Sequence, residues 1–419
     1  MKKILSFITI MLIINIIGCE AKIKSDNNYI KEEDFQYMYM NKNSEQYITT
    51  SDEGYYFING LYLYYCDFSS MEPVVLCNKP NCLHDKELDE TKKFNCDAFL
   101  ITGQDSKLLT VYDDYIYCYI EMDFLKDKDS KPELIRISKD GSKRKTICEL
   151  EENITSMALH RGNLYYAVSN ISLDEEEADN GIYEYKLKSY DLFNPFSNPK
   201  TIYSGKNLFG IINDITPIGN KIRYTENFVE DAVMKGNEFV YDINKKNTYR
   251  LADDIGASNI GPLSISNGEF IFTPININDG DVKCDDYMYK ANIESGVSEL
   301  LFKREFSDIM HYSDDNYIYI DNILSFNSNE IDYEDFTRNL VVYDRNGNKV
   351  DSINITGIDE FTYFVSGDDR YMFVKGQNLE GAYIKYIDKS KIGTGTAKLE
   401  TLFELEKKYL DTSVRMIVE

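Results

Sequence analysis

The five residues Gly162-Asn163-Leu164-Tyr165-Tyr166 couple a turn-forming pair to an apolar, aromatic run. Gly and Asn tolerate the positive φ of a tight turn, and Leu and Tyr suit the pleated, half-buried surface of a strand. Taken alone, the stretch predicts one hairpin. It returns, with variation, as Gly54-Tyr55-Tyr56-Phe57, Asp114-Tyr115-Ile116-Tyr117 and Gly219-Asn220-Lys221-Ile222-Arg223-Tyr224. Further copies are Asn267-Gly268-Glu269-Phe270-Ile271-Phe272, Asp315-Asn316-Tyr317-Ile318-Tyr319 and Gly367-Asp368-Asp369-Arg370-Tyr371-Met372-Phe373. The strands open at 55, 115, 164, 222, 270, 317 and 371, so the spacings are 60, 49, 58, 48, 47 and 54 residues. Spacings of this size belong to propeller blades carrying inserts.

Each unit continues into two more strand-like runs. LYLYYCDF, ELIRIS, IYEYKLKSYDL, NEFVYDI, DYMYKANI, NLVVYDRNG and AYIKYID read as third strands. EPVVLC, RKTICEL, PKTIYSG, NTYRLA, SELLFK, KVDSINI and LETLFEL read as fourth strands. Asp140-Gly141 and Asn346-Gly347, between third and fourth strands, are two-residue hairpin signals. Four strands repeated seven times predict an all-β chain, a seven-bladed β-propeller of four-stranded antiparallel blades. A pair of sandwiches would lack the period. The tail DTSVRMIVE resembles a unit's first strand and is expected to close the ring on the first blade, an eighth, incomplete blade being the alternative.

Composition narrows the partners. The 419 residues carry a formal charge of −25, and removing Lys2 and Lys3 with a leader gives −25 − 2 = −27. Such a surface disfavours nucleic acid, wall polyanions and anionic lipid headgroups. With 34 Tyr and 22 Phe but no Trp, the chain lacks the Trp-Asp repeats, aspartate boxes and tryptophan-docked blades of several propeller families.

The N-terminus predicts an address. Met1-Lys2-Lys3, the apolar run Ile4 to Ile17 and Gly18-Cys19 have the order of a secretory signal, and the run is shorter than the roughly 20 residues that span a bilayer. Ile16-Ile17-Gly18-Cys19 resembles the bacterial lipobox, in which the cysteine becomes a lipidated N-terminus. Residues 1–18 are accordingly read as a lipoprotein signal, 19–44 as a lipidated tether and 45–419 as the propeller. The expected location is the outer surface of the cell membrane, held through Cys19. Acyl chains contribute about 0.8 kcal/mol per buried CH₂.

Strand alternation places first-to-second and third-to-fourth turns on one face, here the turn face. The second-to-third connections and the links between blades lie on the other, the loop face. The former are short (HRGN, PIGN, ISNG, SDDN). The latter read as long loops over Glu121 to Pro132, Ser169 to Gly181, Thr225 to Asn237, Pro274 to Asp286 and Asp321 to Asn339. Those stretches carry Asp174, Glu175, Glu176, Glu230, Asp231, Asp281, Asp285, Asp332 and Glu334, which would crown one rim and attract a basic or cationic ligand or a cell-envelope protein. Any one cluster is equally explained by solubility.

An insert at 76–99 contains LCNKPNCLHDKELDETKKFNC, Leu76 to Cys96. Cys77, Cys82, His84 and Cys96 have the residue types and spacing of a tetrahedral structural zinc site. The expected geometry is a turn at Asn78 and Pro80, an extended Cys82–His84 that puts both side chains on one side, and Asp85 behind the ligands. A disulfide of Cys77 or Cys82 with Cys96 is the competing reading. Cys66, Cys118, Cys148 and Cys284 lie in or beside strands and read as small buried hydrophobes.

Together the blades and the Leu-Cys-x-Lys-Pro-x-Cys-x-His…Cys insert resemble TolB-like propeller lipoproteins of Gram-positive anaerobes. The resemblance implies a fold and an export route and carries no particular activity. No Gly-x-Ser-x-Gly elbow, His-Glu-x-x-His helix or Walker loop occurs. Gly393-Thr394-Gly395-Thr396 reads as a hairpin turn, and His160 and His311 are each expected to close a first strand. Two functions follow as expectations. The first is a lipid-anchored propeller that binds through its acidic loop face without catalysis. The second is a carboxylate-based hydrolase or lyase at the mouth of the channel.

Overall fold

The computed structural model describes residues 46–410 except 103–106, 122–130, 195–196, 258, 279–280, 304–310, 324–337, 357, 359–361, 363 and 379, together with Ile30 and Asp34. The described chain forms seven antiparallel sheets, each a meander of four successive strands, over 48–75, 109–149, 154–208, 211–250, 259–303, 311–354 and 364–406. The fifth sheet carries one extra short strand. This is a seven-bladed β-propeller. The second strands open at Gly54, Tyr115, Asn163, Lys221, Glu269, Tyr317 and Tyr371, each within one residue of the position read from the repeated phrase.

The first strands lie innermost, because those of blades 1 and 2, 3 and 4, 5 and 6, and 7 and 1 touch one another. Burial follows that order. The first strand of blade 3, Ile154–His160, is almost wholly buried, whereas the fourth strand of blade 2, Arg144–Glu149, is largely exposed. Between blades the aromatic residues interlock. Tyr312, Tyr319, Leu340, Phe364 and Met372 form one such layer between blades 6 and 7. Each fully buried side chain of this size contributes about 1.5–3 kcal/mol.

The third-to-fourth turns share one device. In six blades the third strand ends on Asp or Asn, and in blade 2 Asp140 follows the strand end Ser138 by two residues; in all seven that side-chain oxygen accepts backbone N–H groups two or more residues on. The residues are Asp67, Asp140, Asp191, Asp242, Asn292, Asp344 and Asp388. Such Asx turns satisfy donors that the hairpin would leave unpaired. Part of the chain's acidity therefore serves turn geometry. Four of these turns also pack a positive-φ glycine against the preceding blade: Gly141 on Leu76, Gly296 on Tyr249, Gly347 on Phe302 and Gly393 on Val350. The Gly393–Gly395 stretch is a turn, as read.

Blades 1 and 7 meet through side chains. Tyr55 donates its hydroxyl to Asp368 at 2.6 Å and packs on Phe373 with ring centroids 4.7 Å apart, and Gly60 abuts Leu405 and Leu410. All four strands of each of these blades come from its own contiguous stretch. The tail expected to close the ring, 411–419, lies outside the described residues.

Two of the expected long loops are strands instead. Blade 4 runs Lys221–Glu230 into Val233–Asp242 through a two-residue turn at Asp231 and Ala232, both at positive φ. Blade 5 folds Glu269–Asn278 back on Asp281–Cys284. In blade 4, polar residues hid this extension, because Thr225 donates to Glu238 and Asn237 to Glu226 across the ladder instead of facing an apolar core. Blade 3 fills its connection with a helical turn, Glu175–Asp179. Most of the connections in blades 2 and 6 lies outside the described residues.

Candidate functional site

The insert begins where the fourth strand of blade 1, Pro73–Val75, ends. It returns at Phe99, which bridges to Tyr62, while Leu63 and Leu100 exchange backbone bonds with Ala98 and Leu61. The excursion is thus stitched to the loop-face end of the blade's outer edge. Asn78 donates to the carbonyl of Asp140 in blade 2, and Tyr64 donates to Asp85 at 3.0 Å. Asp85 therefore ties the insert to blade 1.

Within it, one donor atom from each of Cys77, Cys82, His84 and Cys96 lies within 4.8 Å of the others. His84 Nδ1 stands 3.6 Å from Cys96 Sγ. Around tetrahedral zinc, sulfurs bound at about 2.3 Å sit about 3.8 Å apart, so a small contraction would complete the shell. The route to this convergence differs from the expected one. The tight turn uses Pro80 and Asn81, with Asn81 at φ 62°. Cys82 to His84 is not extended: Leu83 is α-helical and His84 has φ 54°. A bend, and not strand alternation, brings the imidazole beside the sulfurs.

The surroundings favour thiolate at Cys77 and the protonated thiol at Cys96. Burial pushes Cys77 up, but N–H groups of Lys79 and Asp97 aimed at its sulfur outweigh that and hold it below the usual thiol range. Burial raises Cys96 well above that range, against the N–H of Ala98. Lys79 clamps the two limbs, donating to the Asn95 carbonyl at 2.7 Å and pairing with Asp97 at 2.6 Å. Cys66, Cys77, Cys82, Cys96, Cys118 and Cys148 are free thiols. Cys66 and Cys118 are buried strand residues, as read.

On the loop face, the acidic residues divide by what they touch. Asp174 caps the helical turn by accepting the N–H of Glu177 at 3.2 Å, and Asp285 accepts that of Tyr287 at 3.1 Å. Glu175 and Glu176 are exposed on the helical turn, and Glu230 and Asp231 are exposed at the tip of the blade 4 hairpin. Asp281 lies in the extra strand of blade 5. Asp332 and Glu334 lie outside the described residues, as does Cys19.

The interior holds polar clusters that the sequence did not single out. Arg223 Nε and Nη2 bind both oxygens of Glu238, at 2.7 and 2.8 Å, and Nη1 donates to the Asp214 carbonyl. Glu226 accepts hydroxyls from Tyr185 and Tyr203 at 2.7 and 2.6 Å. Two carboxylates and an arginine near an inner strand are the ingredients of channel-mouth chemistry, but this Arg223 guanidinium is committed to structure. His160 ends its first strand as expected, whereas His311 is the first described residue of its own.

No family model matches the sequence, and no curated protein matches it significantly. Solved structures do. A structure of two prolyl endopeptidases is similar with TM-score 0.55 and 9% identity, over 89% of this chain and 52% of that one. TolB from Acinetobacter baumannii is similar with TM-score 0.39 and 14% identity, over 84% and 78%. The β-propeller domain of the Trilobed protease from Pyrococcus furiosus is similar with TM-score 0.41 and 13% identity, over 75% and 99%. The chain spans about half the length of the prolyl endopeptidases. At these identities the likeness is one of fold.

Proposed function

We propose that this protein is a lipid-anchored, extracytoplasmic β-propeller that binds a cationic ligand or a basic cell-envelope protein through its loop face, without catalysis. The observation that carries the reading is the pair of projections from blades 3 and 4, whose tips expose Glu175, Glu176, Glu230 and Asp231. A rigid ring holding exposed carboxylates on a helical turn and a hairpin tip concentrates negative potential where a partner would arrive. The insert, in this reading, binds one structural zinc through Cys77, Cys82, His84 and Cys96. Four protein donors would leave no open position for catalysis.

Calorimetric titration with hexalysine tests the binding face. Binding to the wild type that weakens at least tenfold in the combined Glu175→Lys, Glu176→Lys, Glu230→Lys, Asp231→Lys variant is the expected result. Equal affinity in that variant would exclude the loop-face rim. Mass analysis of the mature N-terminus checks for acylated Cys19.

A further inference from the structure

Asp34 belongs to the stretch read as tether, yet its side chain is completely enclosed by the propeller. Oδ2 accepts the backbone N–H of Gly219 at 3.0 Å and lies 3.4 Å from Arg161 Nη2. Oδ1 stands 3.5 Å from His160 Nδ1. The segment's own backbone contributes, with the Ile30 N–H donating to Oδ2 at 2.7 Å and the Asp34 N–H donating to the Ile30 carbonyl. The receptor is itself braced, since His160 Nε2 donates to the Gly219 carbonyl at 2.7 Å.

Burying a carboxylate is unfavourable by several kcal/mol unless donors and opposite charge replace its water. Here they come from two different blades. Arg161 sits at the first-to-second turn of blade 3, and Gly219 sits at that of blade 4. Both turns belong to the turn face, the side opposite the acidic projections. Gln46, just before blade 1, is likewise buried and donates to the Met157 carbonyl of blade 3 at 2.8 Å.

We propose that the turns of blades 3 and 4 form a carboxylate receptor for the chain's own N-terminal segment, and that docking there points the turn face at the membrane and the loop face outward. The direction rests on the lipid-anchor reading; the docking does not. Asp34 follows Cys19 by 34 − 19 = 15 residues, a reach of at most about 50 Å. Were Gln46 the first fixed point, 46 − 19 = 27 residues would reach about 90 Å, enough to let either face approach the bilayer.

Trypsin cleavage at Lys31 of the lipidated protein in liposomes tests the docking. Asp34→Ala, Asp34→Asn and Arg161→Gln are expected to be cut at least tenfold faster than wild type, and Asp34→Ala combined with Arg161→Gln no faster than either alone. Equal rates in wild type and variants would overturn the docking, provided the melting temperature shows each variant folded. For direction, a dye placed without cysteine chemistry at Lys391 on the turn face, or at Ala232 on the hairpin tip, reports energy transfer to labelled headgroups. Transfer is expected to be at least twofold stronger from position 391, with Asp34→Ala abolishing the difference. Equal transfer in the wild type, or a difference that survives Asp34→Ala, would overturn the orientation. Asp34-dependent protection of Lys31 in a protein whose Cys19 carries no lipid would keep the docking and reject the anchor.

Discussion

At the residue scale, the insert's donors and the buried ion pairs obey the same rule: charge taken from water must be returned to a partner. Cys96→Ser removes a donor that neighbouring N–H groups cannot replace. Elemental analysis of the purified protein is expected to fall from about one zinc per chain to almost none, with a lower melting temperature, while Cys148→Ser leaves the metal in place. Retained zinc in Cys96→Ser would exclude the four-donor site. Asp314 gives the pH counterpart. Burial alone would raise its carboxyl, but Lys389, the Tyr319 hydroxyl and the Asn316 N–H together hold it below the usual carboxylate range. A depressed native value means that its stabilisation is present above the unfolded value of about 3.9 and is lost as pH falls through the native one. Asp314→Asn should therefore flatten the acid limb of a stability–pH profile. At neutral pH it should cost about 3–5 kcal/mol, because Lys389 is left buried without its charge partner. An unchanged acid limb in urea titrations would show that other carboxylates govern it.

At the element scale, the hairpins explain both what the sequence disclosed and what it concealed. The repeated Gly/Asn/Asp–aromatic phrase fixed the second strands to within a residue because it combines a turn requirement with an apolar pattern. The blade 4 extension escaped notice because Thr225-Glu226-Asn227 and Lys235-Gly236-Asn237-Glu238, on either side of its tip, are polar and leave no core-facing period to read there. The cysteine spacing predicted a cluster, but not the bend at Leu83–His84 that makes it, since a positive φ at histidine leaves no compositional trace. Asp34 was hidden for a similar reason: the last acid of Glu32-Glu33-Asp34 reads the same whether solvated or buried. Turn glycines offer a direct comparison. Gly347 has φ 83° and a Cβ there would lie 2.8 Å from Phe302, whereas Gly256 has φ 67° and open space. Gly256→Ala should cost about 1 kcal/mol from backbone strain. Gly347→Ala should cost about 2–4 kcal/mol, adding a clash across the blade interface. Denaturant midpoints for the two variants measure the difference, and equal shifts would remove the glycine–blade contact from the account.

At the scale of the whole molecule, the ring must hold its two ends together while each described blade keeps all four strands to itself. A closure that shares strands uses backbone ladders; here the described junction relies on side chains, above all the wholly buried Tyr55, which bonds Asp368 and contacts Phe68, Tyr371 and Phe373. Interfaces between blades consecutive in sequence have a covalent link that keeps the partners close after a fluctuation, but the junction of blades 7 and 1 has none. It should accordingly be the first to open. Tyr55→Ala empties a large buried volume, expected to cost about 3–5 kcal/mol. Hydrogen exchange should then accelerate in the first strand of blade 7, Phe364–Gly367, and in the second of blade 1, Gly54–Asn59. The strands of blade 4, on the far side of the ring, should be little altered. Tyr55→Phe isolates the hydroxyl and should cost about 1–3 kcal/mol, with the lost bond leaving Asp368 under-satisfied. Deleting 411–419 separates the two modes of closure. If side chains suffice, the shortened chain keeps one cooperative transition and the same exchange pattern; if the tail supplies a shared strand, deletion should itself reproduce the Tyr55→Ala pattern at the junction.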